Sequence, residues 1–467
     1  MTRPLPGERF LLFGVGVTNA AAARALLRRG LGVTLVDDRP DDTAVELASE
    51  LGVDLIVAPD DDDLVRALDE VDVLLPAPGL GETHRALGLA RAHGVTVCSE
   101  FDLAAAWDDR PLVAVTGTNG KTTVTLLVVA MLEASGIPAA AVGNLEVPLV
   151  AAIDDPAPDW FVVEASSFRL AHSRRFTPAV AVWLNLAPDH LDVHGDEDSY
   201  RRAKQRILDD LGPGDTAVLV LDDPVVAAAP VPDGVRVVAV TLDERGVTRP
   251  VDEVATVADR RLVIRASSHP VDPGAVDLGA VDLGEVDDLP RTLPHDLTNS
   301  LAAAAAALAA GATVDGVRRA LGATPAPPHR VEFVAEIDGV RWVDDSKSTA
   351  PHATLAAVAG FDAVVLVAGG RNKGLDLSAL AAAGPRVRAV VGIGESGPDV
   401  VAAFPDRPSA VASSMAEAVE HARSLARPGD TVLLSPACAS FDWYGSYAER
   451  GRDFASLVRG LDRAASA

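Results

Sequence analysis

Cysteine is almost absent from this chain: its 467 residues include two, Cys98 and Cys438, far apart. Two such thiols cannot make a disulfide framework or a thiolate-rich zinc site, and both are expected to be small buried fillers. Long apolar runs are missing too. With no stretch of 18 apolar residues, no membrane-spanning helix is expected. The opening Met1-Thr2-Arg3-Pro4-Leu5-Pro6 also lacks the basic-then-apolar layout of a secretory leader. A cytoplasmic location is the expectation. Positive charge is scarce as well, and a formal net charge of −26 argues against any broad face for nucleic acid or membrane, which needs basic groups to displace counterions. Anionic ligands must then be met by local donors.

Lysine is scarcest of the charged residues. Of the 41 basic residues only Lys121, Lys204, Lys347 and Lys373 are lysine, the rest being arginine. A lysine kept against that bias suggests a compact ammonium or a nucleophilic, pKa-tunable amine, which a guanidinium cannot replace. Lys121, Lys347 and Lys373 fall inside Gly-, Ser- or Asp-rich segments, and Lys204 follows one, Gly195 to Ser199.

What is present is enough for about three domains at 100–200 residues each, with 48% hydrophobic residues to bury. The chain is organised around residues 113–123, an apolar strand running into Gly117-Thr118-Asn119-Gly120-Lys121-Thr122-Thr123. Backbone N–H groups of such a turn and the positive end of the following helix form an anion cradle. Lys121 adds a mobile charge for the outer phosphates, and Thr122 is placed to hold Mg²⁺. The loop departs from the strict G-x-x-x-x-G-K-[ST] form, whose first Gly falls at Val115 here.

Before this loop, residues 10–13 read as a strand, Gly14-Val15-Gly16-Val17-Thr18-Asn19 as a Gly-rich turn and the following Ala-rich run as a helix ended by Gly30. A strand at 33–36 ends in Asp37-Asp38-Arg39, the acidic position that a dinucleotide fold uses for a ribose, although Asn19 replaces the third glycine. Strands at 55–57, 73–76 and 95–98 complete a small Rossmann-like domain, with the turn Ala77-Pro78-Gly79 at a strand's carboxyl end. Beyond the phosphate loop, 160–163 runs into Glu164-Ala165-Ser166-Ser167, and 180–184 into Asn185-Leu186-Ala187-Pro188-Asp189-His190. In a parallel sheet these ends lie beside the loop, where Glu164 and His190 can reach Mg²⁺ on a triphosphate. A solvated strand end and a structural histidine are their bland readings. Lys204 lies in a basic helical run, 200–208, and strands are expected at 217–221, 235–240 and 262–264. Residues 271–288 repeat Val-Asp-Leu-Gly and near variants, which predicts a mobile insertion. A helix over 292–310 is expected, capped by Thr298 or Asn299 and ended by Gly311, with a second helix from Thr313. Thr324-Pro325-Ala326-Pro327-Pro328 marks a boundary, and apolar strands at 364–368, 389–393 and 431–434 follow.

The phosphate loop and the placed lysines resemble the Mur ligases, ATP-dependent amide-forming enzymes of peptidoglycan assembly. So do Glu164-Ala165-Ser166-Ser167-Phe168, His295 to Asn299, Pro328-His329-Arg330-Val331-Glu332 and Asp344-Asp345-Ser346-Lys347. The long motif from Ser435 to Asp442 is similar to that of the D-glutamate-adding members. The resemblance covers nearly the whole chain. It implies an α/β fold of three domains: a Rossmann-like domain over 1–106, a central phosphate-loop ATPase domain with a parallel sheet and a small β-rich part over 107–326, and a Rossmann-like domain over 327–467.

By the same resemblance, Gly117, Thr118, Asn119, Gly120, Lys121, Thr122, Thr123, Asn299, Arg330 and Asp345 contact ATP. Thr122 and Glu164 hold one Mg²⁺, and His190 and Lys204 hold a second, Lys204 being carbamylated by CO₂. Val17, Thr18, Asp37, Arg39 and Gly79 seat the uridine diphosphate of UDP-N-acetylmuramoyl-L-alanine, and Asn144, Ser167 and Asp189 line its sugar-peptide path. Lys347, Thr349, Lys373, Ser440, Phe441 and Tyr447 take D-glutamate. Lys121, Glu164, His190, Lys204 and Arg330 form the catalytic set, with Arg330 suited to developing phosphoryl charge. A monomer is expected. Arg169 stands where the family usually has Gln, and Tyr447 where Phe is common. Two alternatives are a folylpolyglutamate-synthase-like glutamate ligase, which lacks such an N-terminal domain, and an NAD-binding module built on the first Gly-rich turn.

Overall fold

Three α/β sheets carry the chain in a computed structural model that describes residues 7–267, 280–325 and 327–465, with side chains to 461. They fall in two compact units. The first runs to Thr324 and the second from Pro325, which also takes the short runs Ala187–Asp189 and Leu293–His295.

The first unit opens with β1 (Arg9–Phe13), β2 (Gly32–Asp37), β3 (Leu55–Val57), β4 (Val73–Pro76) and β5 (Thr96–Val97). They pair in parallel in the order β3-β2-β1-β4-β5. Phe10, Leu11, Leu12 and Phe13 are all buried, as a strand covered on both faces requires. Chain order reverses between β2 and β4 around β1, so the Gly-rich turn after β1 and the turn after β4 share a switch point, where open α/β sheets bind ligands.

The larger sheet contains β6 (Leu112–Thr116), β7 (Ala139–Gly143), β8 (Trp160–Glu164), β9 (Val180–Trp183), β10 (Thr216–Val220), β11 (Arg236–Val240), β12 (Glu253–Ala258), β13 (Arg261–Ala266) and β14 (Val281–Glu285). Its order is β14-β13-β12-β11-β10-β9-β6-β8-β7, parallel from β7 to β12 and antiparallel through β13 and β14. One face packs Val113, Val115, Val162 and Val182 on helices Lys121–Ala134, Pro294–Ala309 and Val314–Ala323. The other sets Ala114, Phe161, Val163 and Trp183 against Phe101, Ile207 and Leu208.

In the second unit β15 (Glu332–Ile337), β16 (Val340–Asp344), β17 (Val364–Gly369), β18 (Val387–Ile393), β19 (Ser409–Val411) and β20 (Thr431–Leu434) form a sheet. The order is β15-β16-β20-β17-β18-β19, with β15 as its antiparallel edge. The carboxyl ends of β16, β17 and β20 bring the loops at Asp344, Gly369 and Ser435 to one edge.

Two expectations are corrected. The helix expected to be capped by Thr298 or Asn299 begins at Pro294, because proline is tolerated in a first turn whose N–H groups have no intrahelical acceptor. Both residues are therefore inside it. The expected mobile insertion at 271–288 is ordered in its latter half: 271–279 lie outside the described residues, but Val281–Glu285 pair with β13 and Val286–Asp288 close a 3₁₀ turn. Leu283 and Val286 are buried in the core beside Leu262 and Ile264, an apolar spacing hidden among Gly and Asp.

Candidate active site

β6 delivers the chain to the phosphate loop, and Gly120 turns it into helix Lys121–Ala134 with φ +85°. A Cβ on Gly120 would lie 2.5 Å from Asn299 Oδ1, so glycine is required there by both conformation and space. The early start of helix Pro294–Ala309 is what presents Asn299 to the loop. Lys121 Nζ donates to the carbonyls of Gly117 at 2.9 Å and Thr118 at 3.0 Å. Asn185, just past β9, braces the turn: its Oδ1 accepts from Asn119 N at 2.8 Å, its Nδ2 donates to Asn119 O at 3.2 Å, and its carbonyl accepts from Thr118 N.

Beside the loop, Thr122 Oγ1 donates to Glu164 Oε2 at 2.7 Å, and Asn144 Nδ2 donates to Glu164 Oε1 at 3.1 Å. Glu164 is buried at the carboxyl end of β8. Lys204, on helix Glu197–Asp209, is 1% exposed. Its Nζ donates to the Gly117 carbonyl at 2.8 Å and lies 4.6 Å from the centre of the Tyr200 ring. Tyr200 in turn exchanges a hydrogen bond with Thr118 Oγ1 at 3.2 Å. His190 takes φ +54° and sets its ring edge-on to Phe168 at 4.7 Å. Ser167 Oγ pairs with His194 Nε2 at 2.9 Å, and His194 Nδ1 pairs with Glu82. Thr123 and Asp189 are buried. Thus the structure gathers the loop, Lys121, Thr122, Asn144, Glu164, Lys204 and Asn299 into one neighbourhood.

At the first switch point Asp37 points inward. Its Oδ2 accepts from Val15 N and its Oδ1 from Arg39 N, both at 2.8 Å, so the acidic residue closes the Gly-rich turn. Asn19, in place of a third glycine, is fully buried and donates to the carbonyls of Phe13, Gly14 and Leu75. It pins β1 to β4. Val17 is 72% exposed, Arg39 is exposed, and Gly79 sits in the turn after β4.

In the second unit Lys347 Nζ donates to Tyr447 Oη at 2.7 Å and stands 3.9 Å from that ring's centre. Arg450, almost fully buried, donates from Nε to Ser346 Oγ at 3.0 Å and from its terminal nitrogens to the carbonyls of Ser346 and Cys438. Burial lowers its pKa to about 10, and it ties the β16 loop to the β20 loop. Arg371 and Ala439 exchange backbone hydrogen bonds at 2.9 and 3.0 Å, joining the loop that bears Lys373 to the one that bears Ser440. A Cβ on Gly369 would meet Ile393 O at 2.0 Å. Only glycine lets this loop pass β18. Thr349 is half-buried, Ser440 buried and Phe441 63% exposed.

Asp345 accepts from Ser435 Oγ at 2.7 Å and from Val331 N at 3.2 Å. Its full burial outweighs these bonds and the nearby Arg330, raising its pKa to about 6. The turn before β15 that bears Arg330 is held on both sides. His329 Nδ1 pairs with Asp344 Oδ2 at 2.6 Å, and Glu332 accepts from His329 N at 2.8 Å. Sequence reasoning assigned no role in advance to Asn19, Asn185, Tyr200, His194 or Arg450. Asn185 carried a readable sign, a polar residue directly after an apolar strand, whereas Arg450 sits inside a helix with nothing local to mark it.

Comparison with known proteins agrees along the length of the chain. The sequence model of the Mur ligase middle domain matches residues 115–276, and that of the Mur ligase, glutamate ligase domain, matches 329–438. A UDP-N-acetylmuramoylalanine–D-glutamate ligase from Pelotomaculum thermopropionicum is 36% identical over 99% of this chain and 100% of its own. One from Frankia casuarinae is 41% identical over 97% and 94%. In fold, the chain is like a pseudomurein peptide ligase type C from Methanothermus fervidus, with a TM-score of 0.58 and 19% identity over 97% of this chain and 100% of that one. It is also like a UDP-N-acetylmuramate–alanine ligase from Thermotoga maritima, with a TM-score of 0.53 and 16% identity over 97% and 99%.

Proposed function

The chain belongs to the Mur ligase family, and from that premise we propose that it is the ATP-dependent ligase that joins D-glutamate to UDP-N-acetylmuramoyl-L-alanine. This step belongs to peptidoglycan precursor synthesis, in the cytoplasm. The observation that carries the reading is the likeness to D-glutamate ligases over nearly the full length of both chains. Among the described residues no helix is long and apolar enough to cross a membrane.

In this reading the terminal carboxylate of the sugar-peptide attacks the γ-phosphorus of ATP, giving an acyl phosphate and ADP. The D-glutamate amine then attacks the acyl carbon, and phosphate leaves the tetrahedral intermediate. The loop's N–H groups and Lys121 hold the phosphates, Asn299 and Asp345 complete the ATP contacts, and Arg330 stabilises charge on the transferring phosphoryl group. Thr122 Oγ1 and Glu164 Oε2 are hard oxygen donors 2.7 Å apart at the mouth of a phosphate loop, a set that fits Mg²⁺. A metal held there would neutralise charge developing on the phosphates. Lys204 and His190 would serve a second ion. As a carbamate, Lys204 would offer a carboxylate-like end to that ion. Val17, Thr18, Asp37, Arg39 and Gly79 take the uridine diphosphate, Asn144, Ser167 and Asp189 take the sugar-peptide, and Lys347, Thr349, Lys373, Ser440, Phe441 and Tyr447 take D-glutamate.

The test is a two-stage assay. With ATP, Mg²⁺ and UDP-N-acetylmuramoyl-L-alanine, hydroxylamine should trap a hydroxamate, and adding D-glutamate should divert the flux to amide and phosphate. Absence of both hydroxamate and D-glutamate-dependent phosphate would overturn the reading.

A further inference from the structure

Arg169 is 6% exposed, and the three kinds of nitrogen in its guanidinium each have a different partner. Nε donates to Glu100 Oε1 at 3.1 Å, Nη1 to Asn144 Oδ1 at 2.8 Å and Nη2 to Thr18 Oγ1 at 2.9 Å. Glu100 is buried too, and its other oxygen accepts from Val150 N at 2.9 Å. Burial raises the pKa of that carboxyl, against the opposing pull of Arg169. The pair therefore forms an internally compensated charge between the helix Glu100–Trp107 and the turn after β8.

The consequence falls on Asn144. A side-chain amide has one accepting and one donating end, and either can face a given neighbour until the neighbours decide. Here a guanidinium faces one end and the Glu164 carboxylate the other. The reverse orientation would set the amide carbonyl against a carboxylate and its NH₂ against a cation, losing two charge-assisted bonds at once. Asn144 Nδ2 is thus committed to Glu164 Oε1, leaving Oε2 for Thr122.

We infer that Arg169 is a positioning residue for the Glu164 carboxylate: by fixing the amide of Asn144 it aims Glu164 Oε2 at Thr122. It also fastens this arrangement to Thr18 in the first turn of the helix Val17–Arg28, which follows the first Gly-rich turn. A glutamine in its place has a single donating nitrogen and cannot span Glu100, Asn144 and Thr18 together. The inference rests on the reading of Thr122 and Glu164 as a metal-binding pair, and its test separates the two.

The probe is Mn²⁺ binding in the presence of a non-hydrolysable ATP analogue, followed by electron paramagnetic resonance, alongside thermal midpoints. R169Q leaves Glu100 buried and unpaired, so it should lower the midpoint and weaken Mn²⁺ binding at least fivefold. The double variant E100Q/R169Q removes both buried charges. Its midpoint should recover while Mn²⁺ binding stays at least fivefold weak, because Asn144 is still not held. Wild-type Mn²⁺ affinity in R169Q, or recovery of affinity together with the midpoint in the double variant, would reduce Arg169 to a residue of the fold. E164Q is the control for the underlying reading: unchanged Mn²⁺ affinity in E164Q removes the metal pair itself, whereas a weak E164Q beside a normal R169Q overturns only the positioning role.

Discussion

In the proposed reaction Lys204 acts as a carbamate that holds a metal ion. Arginine keeps the cation but cannot accept CO₂, so Lys204→Arg should be inactive, and Lys204→Ala should regain part of its rate with short-chain carboxylic acids such as acetate. An active arginine variant would leave the position purely electrostatic. The role proposed for Lys121 is different: a mobile charge that follows the transferring phosphoryl group. Lys121→Ala should lower kcat by at least about 10²-fold with an unchanged thermal midpoint. Asp345 makes a prediction about pH. With its pKa at about 6 in the fold against an ordinary 3.8, the folded chain binds a proton that the unfolded chain releases between those values. Stability falls as pH rises through this window and remains lower above it, a cost on the order of 3 kcal/mol. Asp345→Asn removes the ionisation, so its thermal midpoint relative to wild type should be higher at pH 7.5 than at pH 4.5, while activity drops. A difference independent of pH would mean the carboxyl titrates normally. Thr122 and Glu164 were legible from sequence because a loop motif and a strand end announce them. Arg169 and Arg450 were not, since the meaning of each depends on partners dozens of residues away.

The parallel strands were the most legible elements. Runs such as Val73-Leu74-Leu75-Pro76 are continuous, short and bounded by turns, and they appear at the expected residues. Strands with weak apolar character were hidden: β14 reads Val-Asp-Leu-Gly-Glu, and its place at the sheet edge lets one side stay polar. That strand makes a testable difference. Leu283 is 1% exposed inside the core of the larger sheet, so Leu283→Ala should cost about 2–5 kcal/mol in urea unfolding. A cost below about 0.5 kcal/mol would return residues 281–288 to the status of a dispensable loop. The helix at Pro294 teaches the complementary lesson. Thr298 and Asn299 have the chemistry of a cap, yet proline's tolerance for a first turn moved the start upstream and turned Asn299 toward the phosphate loop. Capping residues identify a helix start only when nothing earlier can begin one.

For the molecule as a whole, the governing quantity is a net charge of −26 in a chain proposed to handle three anionic substrates. Long-range attraction cannot recruit them, so recognition must come from a few local groups, and selectivity should be steep wherever those groups are cationic. Lys347 and Lys373 are the only lysines after residue 325, and they sit on the loops after β16 and β17, on either side of the β20 loop at one edge of the third sheet. If they meet the two carboxylates of D-glutamate, with Thr349 and Ser440 completing the contacts, an amino acid lacking the side-chain carboxylate leaves one of these part-buried cations without its substrate partner. Such a loss costs far more than a missing methylene and can give discrimination of about 10⁴ or more. D-Alanine should therefore support almost no phosphate release with ATP, Mg²⁺ and UDP-N-acetylmuramoyl-L-alanine. L-Glutamate should fail for a geometric reason. With both carboxylates anchored, inversion at the α-carbon directs the amine away from the acyl phosphate, and a nucleophile so displaced forfeits most of the advantage of being held in place. The two failures should also differ in kind. D-Alanine should fail to compete against D-glutamate, whereas L-glutamate, which keeps both carboxylates, should inhibit as a weak competitor. Turnover with L-glutamate, L-lysine or diaminopimelate, but not with D-glutamate, would overturn the substrate while leaving the ligase chemistry in place.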